Sequence, residues 1–136
     1  MRFDVELVGV PIGIAELEVA SRAVGIFAPS ASYFPEQGIF RDGGNALWDL
    51  FNRPGQSARG RRWRAQRVKT MQRRAQSLAL RTQSGIGLAT VRLFLFDSAR
   101  IPGPPIVIAH FDEAAAAIVA EVVPPAVRTT GTRPAA

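Results

Sequence analysis

The chain has 136 residues and no cysteine, with 47% hydrophobic and 21% charged residues and a formal net charge of +6. These are globular proportions, not those of a disordered chain, and the length suits one domain that buries about two-thirds of its unfolded surface. Without cysteine there can be no disulfide, no thiolate metal site and no cysteine nucleophile.

The opening residues alternate. Phe3, Val5 and Leu7 point one way, Asp4 and Glu6 the other; Ala15, Leu17 and Val19 repeat the pattern against Glu16 and Glu18. A period of two marks half-buried strands over 3–9 and 14–20. Pro11-Ile12-Gly13 suits a three-residue hairpin loop with Gly13 left-handed. That register sets Leu7 opposite Leu17, Val5 opposite Val19 and Glu6 opposite Glu18. Acids at every second position leave no apolar stretch for a signal peptide. No run reaches the ~20 apolar residues needed to cross a bilayer, so no membrane insertion and a cytoplasmic location are expected. Sixteen arginines against one lysine, with abundant alanine, point to a GC-rich bacterial genome.

A third strand is expected over 24–28. Residues 29–44 are rich in Pro and Gly and read as a long irregular connection. Residues 45–51 read as a short helix with Asn45 as N-cap, ending before Pro54. The aromatics Tyr33, Phe34, Phe40, Trp48 and Phe51 read as the core of this loop-and-helix layer. After a polar linker at 55–60, residues 61–76 read as a helix, with Val68, Met71, Ala75 and Leu78 on one side and Arg62, Lys69 and Arg73 on the other.

Further strands are expected over 77–82, 88–96 and 106–111. Gln83-Ser-Gly-Ile-Gly87 is a hairpin-like turn, and prolines 102, 104 and 105 break the chain before the last strand. His110, at the end of that strand, reads as a core or cap histidine. Asp112 suits the N-cap of a helix over 113–123 that Pro124-Pro125 ends. The expected architecture is α+β: one domain over 1–123 with a largely antiparallel sheet of about five to six strands and two or three helices, then a disordered tail over 124–136.

The stretch Val8-Gly-Val-Pro-Ile-Gly13, with Ala15-Glu-Leu17 and the later Leu80-Arg-Thr82 and Gly85, resembles a family of small uncharacterised bacterial proteins with a VGVPIG-x-AEL opening. The resemblance implies no activity, so no catalytic residue carries over from it.

Charge is distributed unevenly. No acid lies between Asp49 and Asp97, a stretch that holds 11 of the 17 Lys+Arg, eight of them within 59–74. Such a stripe must face water, phosphate or acidic groups. One reading is an electrostatic nucleic-acid binder that uses Arg61, Arg62, Arg64, Arg67, Lys69, Arg73 and Arg74, with Trp63 stacking on a base. Another sets the cationic helix over the acidic hairpin face of Asp4, Glu6, Glu16 and Glu18, relieving the Glu6–Glu18 opposition from within the chain or from a second copy. A basic amphipathic helix could also lie on an anionic membrane, but Val68, Met71 and Ala75 make a thin apolar side for it. A divalent cation on Glu6, Glu16 and Glu18 would sit on an open strand face rather than in a cavity. Nothing in the chain assembles an acid, a base and a nucleophile. The expectation is therefore a non-enzymatic binding or structural module without cofactor or metal that contacts protein, with a second copy as one partner and nucleic acid as the alternative.

Overall fold

The computed structural model describes residues 1–18, 22–88 and 90–111. Val19, the helix expected over 113–123 and the tail over 124–136 lie outside them. The chain runs β1 (Arg2–Leu7), β2 (Val10–Leu17), β3 (Arg22–Pro29), a 3-10 turn (Ala31–Tyr33), α1 (Phe34–Asn52), α2 (Ala58–Ala75), β4 (Leu78–Thr82), β5 (Gly87–Leu88), β6 (Thr90–Phe96) and β7 (Ile106–Phe111).

The class is α+β, with one antiparallel sheet in the order β5-β4-β1-β2-β3-β7-β6. Among the described residues there are seven strands rather than six, because the segment expected as one strand over 88–96 divides into β5, which pairs with β4, and β6, which pairs with β7. β5 and β6 hold opposite ends of the sheet order yet are one residue apart in the chain. Two Cα steps reach about 7 Å, so the sheet must curl until its ends approach.

The N-terminal hairpin forms, but its turn and register differ from the expected ones. The strands turn at Val8-Gly9, both with positive φ, and Pro11 to Gly13 belong to β2. Phe3 pairs with Ala15, and a bulge after Val5 brings Glu6 opposite Pro11. The Glu6–Glu18 opposition therefore does not exist. Burial still follows the alternation: Phe3, Val5, Leu7, Ala15 and Leu17 are all core residues. A two-residue loop and a bulge together preserve the inward face that the expected three-residue loop would have served.

The larger correction is α1, a 19-residue helix where the reading above has a long connection and a short helix. Pro35 sits in its first turn, where proline has no hydrogen bond to lose. Gly43 and Gly44 are packing positions rather than breakers. A Cβ at Gly43 would collide with the Met71 side chain on α2, and one at Gly44 with the backbone carbonyl of Asp97 at the end of β6. Asn45 is not a cap; its side-chain oxygen accepts from the Ser98 hydroxyl and the Ala99 amide, each at 2.8 Å.

The helices cover the inner face of the sheet. Met71, Val68 and Ala75 of α2 and Phe40 and Ala46 of α1 join the inward strand residues in one apolar cluster. Phe27 meets Tyr33 edge-on at 5.2 Å between centroids, and Phe3 on β1 reaches Phe111 on β7 at 6.4 Å. Of the five aromatics expected in this layer, Tyr33 and Phe40 are core, whereas Phe34, Trp48 and Phe51 are exposed.

Candidate functional site

Three of the seven cations assigned to a nucleic-acid surface are engaged inside the fold. α2 begins at Ser57, whose hydroxyl accepts from the Gly60 amide at 3.0 Å. Its stripe of Val68, Met71 and Ala75 rests in the core, so these residues are not available to a membrane. Arg64, Arg67 and Arg74 reach from α2 towards acids on α1. Arg67 bonds Asp42 at 2.9 Å, Arg74 grips both oxygens of Glu36 at 2.6 and 3.0 Å, and Arg64 stands 3.9 Å from Asp49. The Glu36 hydrogen bonds hold the Arg74 guanidinium even further above its usual range.

The remaining four, Arg61, Arg62, Lys69 and Arg73, are exposed, as is Arg59, and none of these five makes an ion pair among the described residues. Helical spacing gathers Arg59, Arg62, Lys69 and Arg73 on the side away from the core. Trp63 is half-exposed, but the Arg67 guanidinium already lies 4.4 Å from its ring centroid in a cation–π contact. A shallow groove of about 300 Å³ beside it runs between the helices, lined by Ile39, Asp42, Trp63, Gln66, Arg67 and Thr70.

The proposed pairing of α2 with the hairpin acids is not what the fold adopts. Glu6 binds Arg81 of β4 at 2.9 Å, Glu16 binds Arg2 at 3.0 Å, and Asp4 accepts from Gln83 at 3.1 Å. These acids occupy outward positions of the sheet, whose inward positions face the helices. The acid-free stretch hid this arrangement because its cations find partners on both sides: Arg81 on the sheet, the α2 arginines on α1.

Two buried carboxylates escaped sequence reading. Asp49 accepts from Arg100 at 3.1 and 3.2 Å, with Arg53 at 3.8 Å and Arg64 at 3.9 Å. Chiefly through the Arg100 hydrogen bonds, its carboxyl is held below the usual carboxylate range; burial opposes this, and the charges of Arg100, Arg53 and Arg64 add to it. Asp97 accepts from the Tyr33 hydroxyl at 2.6 Å and from Gln37 and Arg41 at 3.4 Å each. Burial first, and then Asp97, push the Tyr33 hydroxyl far above its usual pKa. The legible signal was a charge within an apolar helix for Asp49 and a charge after an apolar strand for Asp97, patterns too common to single out.

The outer face of the sheet is the second distinctive surface. Cross-strand registers align Glu16, Ile26, Ile106 and Phe96 in one row and Val24, Ile108 and Phe94 in the next, followed by Arg22, His110 and Arg92. Ile14 and Ala28 pair beyond the first row. Val24 and Ile26 are 42% and 55% exposed, so water reaches the middle of this patch. His110 is half-buried at its border, between Arg22 and Arg92, and not in the core; the helix it would cap lies outside the described residues.

A scan against protein-family models returned no match for the chain, and neither did searches of curated proteins and of solved structures.

Proposed function

We propose that this protein is a small non-enzymatic binding or structural module, and that it makes its protein contacts through the outer face of the sheet. The observation that carries this reading is the contiguity of Ile14, Val24, Ile26, Phe94, Phe96, Ile106 and Ile108 across β2, β3, β7 and β6. Single exposed apolar residues are ordinary, whereas a contiguous apolar patch rimmed by charge marks an interaction surface. Against catalysis stands the engagement of the buried carboxylates: Asp49 is held by Arg100 and Asp97 by Tyr33, so neither is free to act as a base on a ligand. The test is the fluorescence of an apolar-surface dye such as anilinonaphthalene sulfonate at high dilution. The wild type should bind dye and Ile26→Glu should lose most of that signal, whereas Phe51→Glu, at an exposed position on α1, should keep it. Equal dye binding by wild type and Ile26→Glu would defeat the reading.

Nucleic acid is the second reading, favoured by the outward cations Arg59, Arg62, Lys69 and Arg73. If these bind phosphate, affinity for an oligonucleotide falls steeply with salt, and replacing Arg62 and Arg73 together by Ala lowers the slope of log K against log[salt] by about 1–2. The same change at Arg67 and Arg74 would act on stability instead, through their bonds to Asp42 and Glu36. Micromolar binding at physiological salt that tracks Arg62 and Arg73 would favour this reading over the first.

A further inference from the structure

We infer that the partner of the outer sheet face is a second copy of this chain, packed face to face about a two-fold axis. The inference rests on the reading of that face as a contact surface, and the charge map argues for the occupant. The outward positions of the sheet and its β2 end carry four arginines (Arg2, Arg22, Arg81 and Arg92) against four carboxylates (Asp4, Glu6, Glu16 and Glu18), a balance of zero. α2, on the other side of the sheet, carries eight cations and no acid. A nucleic acid or an acidic protein would be drawn to α2 and gain nothing at the sheet. A second copy meets an apolar, charge-balanced face like its own, and face-to-face packing leaves both α2 helices on the outside. Layers stack about 10 Å apart, which keeps the two helices several Debye lengths from each other at physiological salt.

The arrangement of residues on the face is also self-complementary. Glu16, with Glu18 near it, stands at one corner of the patch on β2, and Arg92 stands at the diagonal corner on β6. Strands lie about 4.8 Å apart and outward residues of one strand about 6.8 Å apart, so four strands and three rows make a nearly square face. A two-fold axis along the other diagonal exchanges those corners. It sets Glu16 of each copy over Arg92 of the other, with Val24 and Ile108 near the centre. The strands then cross near a right angle, one of the two preferred sheet-on-sheet packings. The face is small by interface standards, at most about 400 Å² by the same spacings, and the curl of the sheet makes it convex, so the dimer is expected to be weak and concentration-dependent.

The experiment is sedimentation equilibrium of the full chain from about 5 to about 500 µM, a range that brackets the affinities of small interfaces. The expected result is a mass that rises from 14.7 kDa towards twice that value. Ile26→Glu should stay monomeric with an unchanged circular dichroism spectrum, since its side chain is already half in water. Arg92→Glu should weaken dimerisation at least tenfold, and adding Glu16→Arg should restore it. A dimer that survives Ile26→Glu, or a charge swap that fails to restore Arg92→Glu, would overturn the inference. So would a monomer at every concentration, and dye binding then separates the two readings. A monomer that binds dye through Ile26 keeps the contact surface and excludes the second copy, whereas one that binds no dye removes both.

Discussion

Gly43 of α1 lies directly against Met71 of α2, with no room for a Cβ between them. The atom in the way is the Met71 Cβ, which a rotamer change cannot move, so Gly43→Ala forces the helices apart. Overpacking of this kind costs about 1–3 kcal/mol and should outweigh the gain of up to ~1 kcal/mol in helix propensity. Gly38, four residues into the same helix, has nothing within 4 Å of its would-be Cβ, and Gly38→Ala should stabilise by about 0.5–1 kcal/mol. Urea unfolding of both variants checks the pair. Equal signs would mean that the α1–α2 contact is looser than the structure has it.

That contrast shows why the first helix was illegible. Glycine in a sequence reads as a breaker because its local cost is visible and its tertiary use is not. Gly43 and Gly44 make sense only once Met71 and the Asp97 carbonyl are known to lie against them. α2 was legible, since Val68, Met71 and Ala75 recur at helical spacing and are buried. The strand alternation around Val5 and Leu17 was equally clear, but periodicity fixes which side faces in, not which residues pair. A bulge and a shorter turn changed the partners while leaving Phe3, Val5, Leu7, Ala15 and Leu17 buried. At the candidate site, the run of cations was visible and its division was not. Arg64, Arg67 and Arg74 differ from Arg62, Lys69 and Arg73 only in the direction they point once α1 is packed beside them.

Tyr33 ties the start of α1 to the end of β6 through its 2.6 Å bond to Asp97, and both residues are buried. Tyr33→Phe keeps the ring packing against Phe27 and Phe40 but leaves Asp97, among the described residues, the longer bonds from Gln37 and Arg41. A hydrogen bond to a charged group contributes about 1.5–3 kcal/mol, and a loss of that size is expected in the urea midpoint at pH 7. A neutral result would show that water or Arg41 replaces the hydroxyl at no cost.

Asp49 makes stability depend on pH in the acid range. Its carboxyl is depressed in the folded state, so near and below the unfolded value of about 4 the folded chain binds fewer protons than the unfolded one. The contribution is therefore complete above about pH 4 and is lost as pH falls through the lower folded value. Asp49→Asn, which cannot titrate, should be less stable at pH 7, and its unfolding midpoint should fall less steeply as pH drops below about 4. Parallel pH profiles for the two proteins would show that other carboxylates carry the acid limb. Arg100→Gln should flatten the same limb, because it removes the hydrogen bonds that depress the carboxyl.

Val8 makes the sharpest local prediction. It occupies the first position of the two-residue hairpin turn with φ at 51°, followed by Gly9 at 76°, the paired positive angles of a type I′ turn. A β-branched side chain in the left-handed region is strained by about 1–2 kcal/mol. Val8 is 63% exposed, so no burial offsets that strain. Asn is the favoured residue there, and Val8→Asn keeps the amide that donates to the Ser77 carbonyl at 3.0 Å. The substitution should therefore raise stability by about 1 kcal/mol, while Gly9→Val should lower it by at least as much. Thermal unfolding of the two variants reads both effects. Loss of stability in Val8→Asn would mean that the Val8 side chain makes a contact worth more than its backbone strain, which on a surface this open would have to come from another molecule.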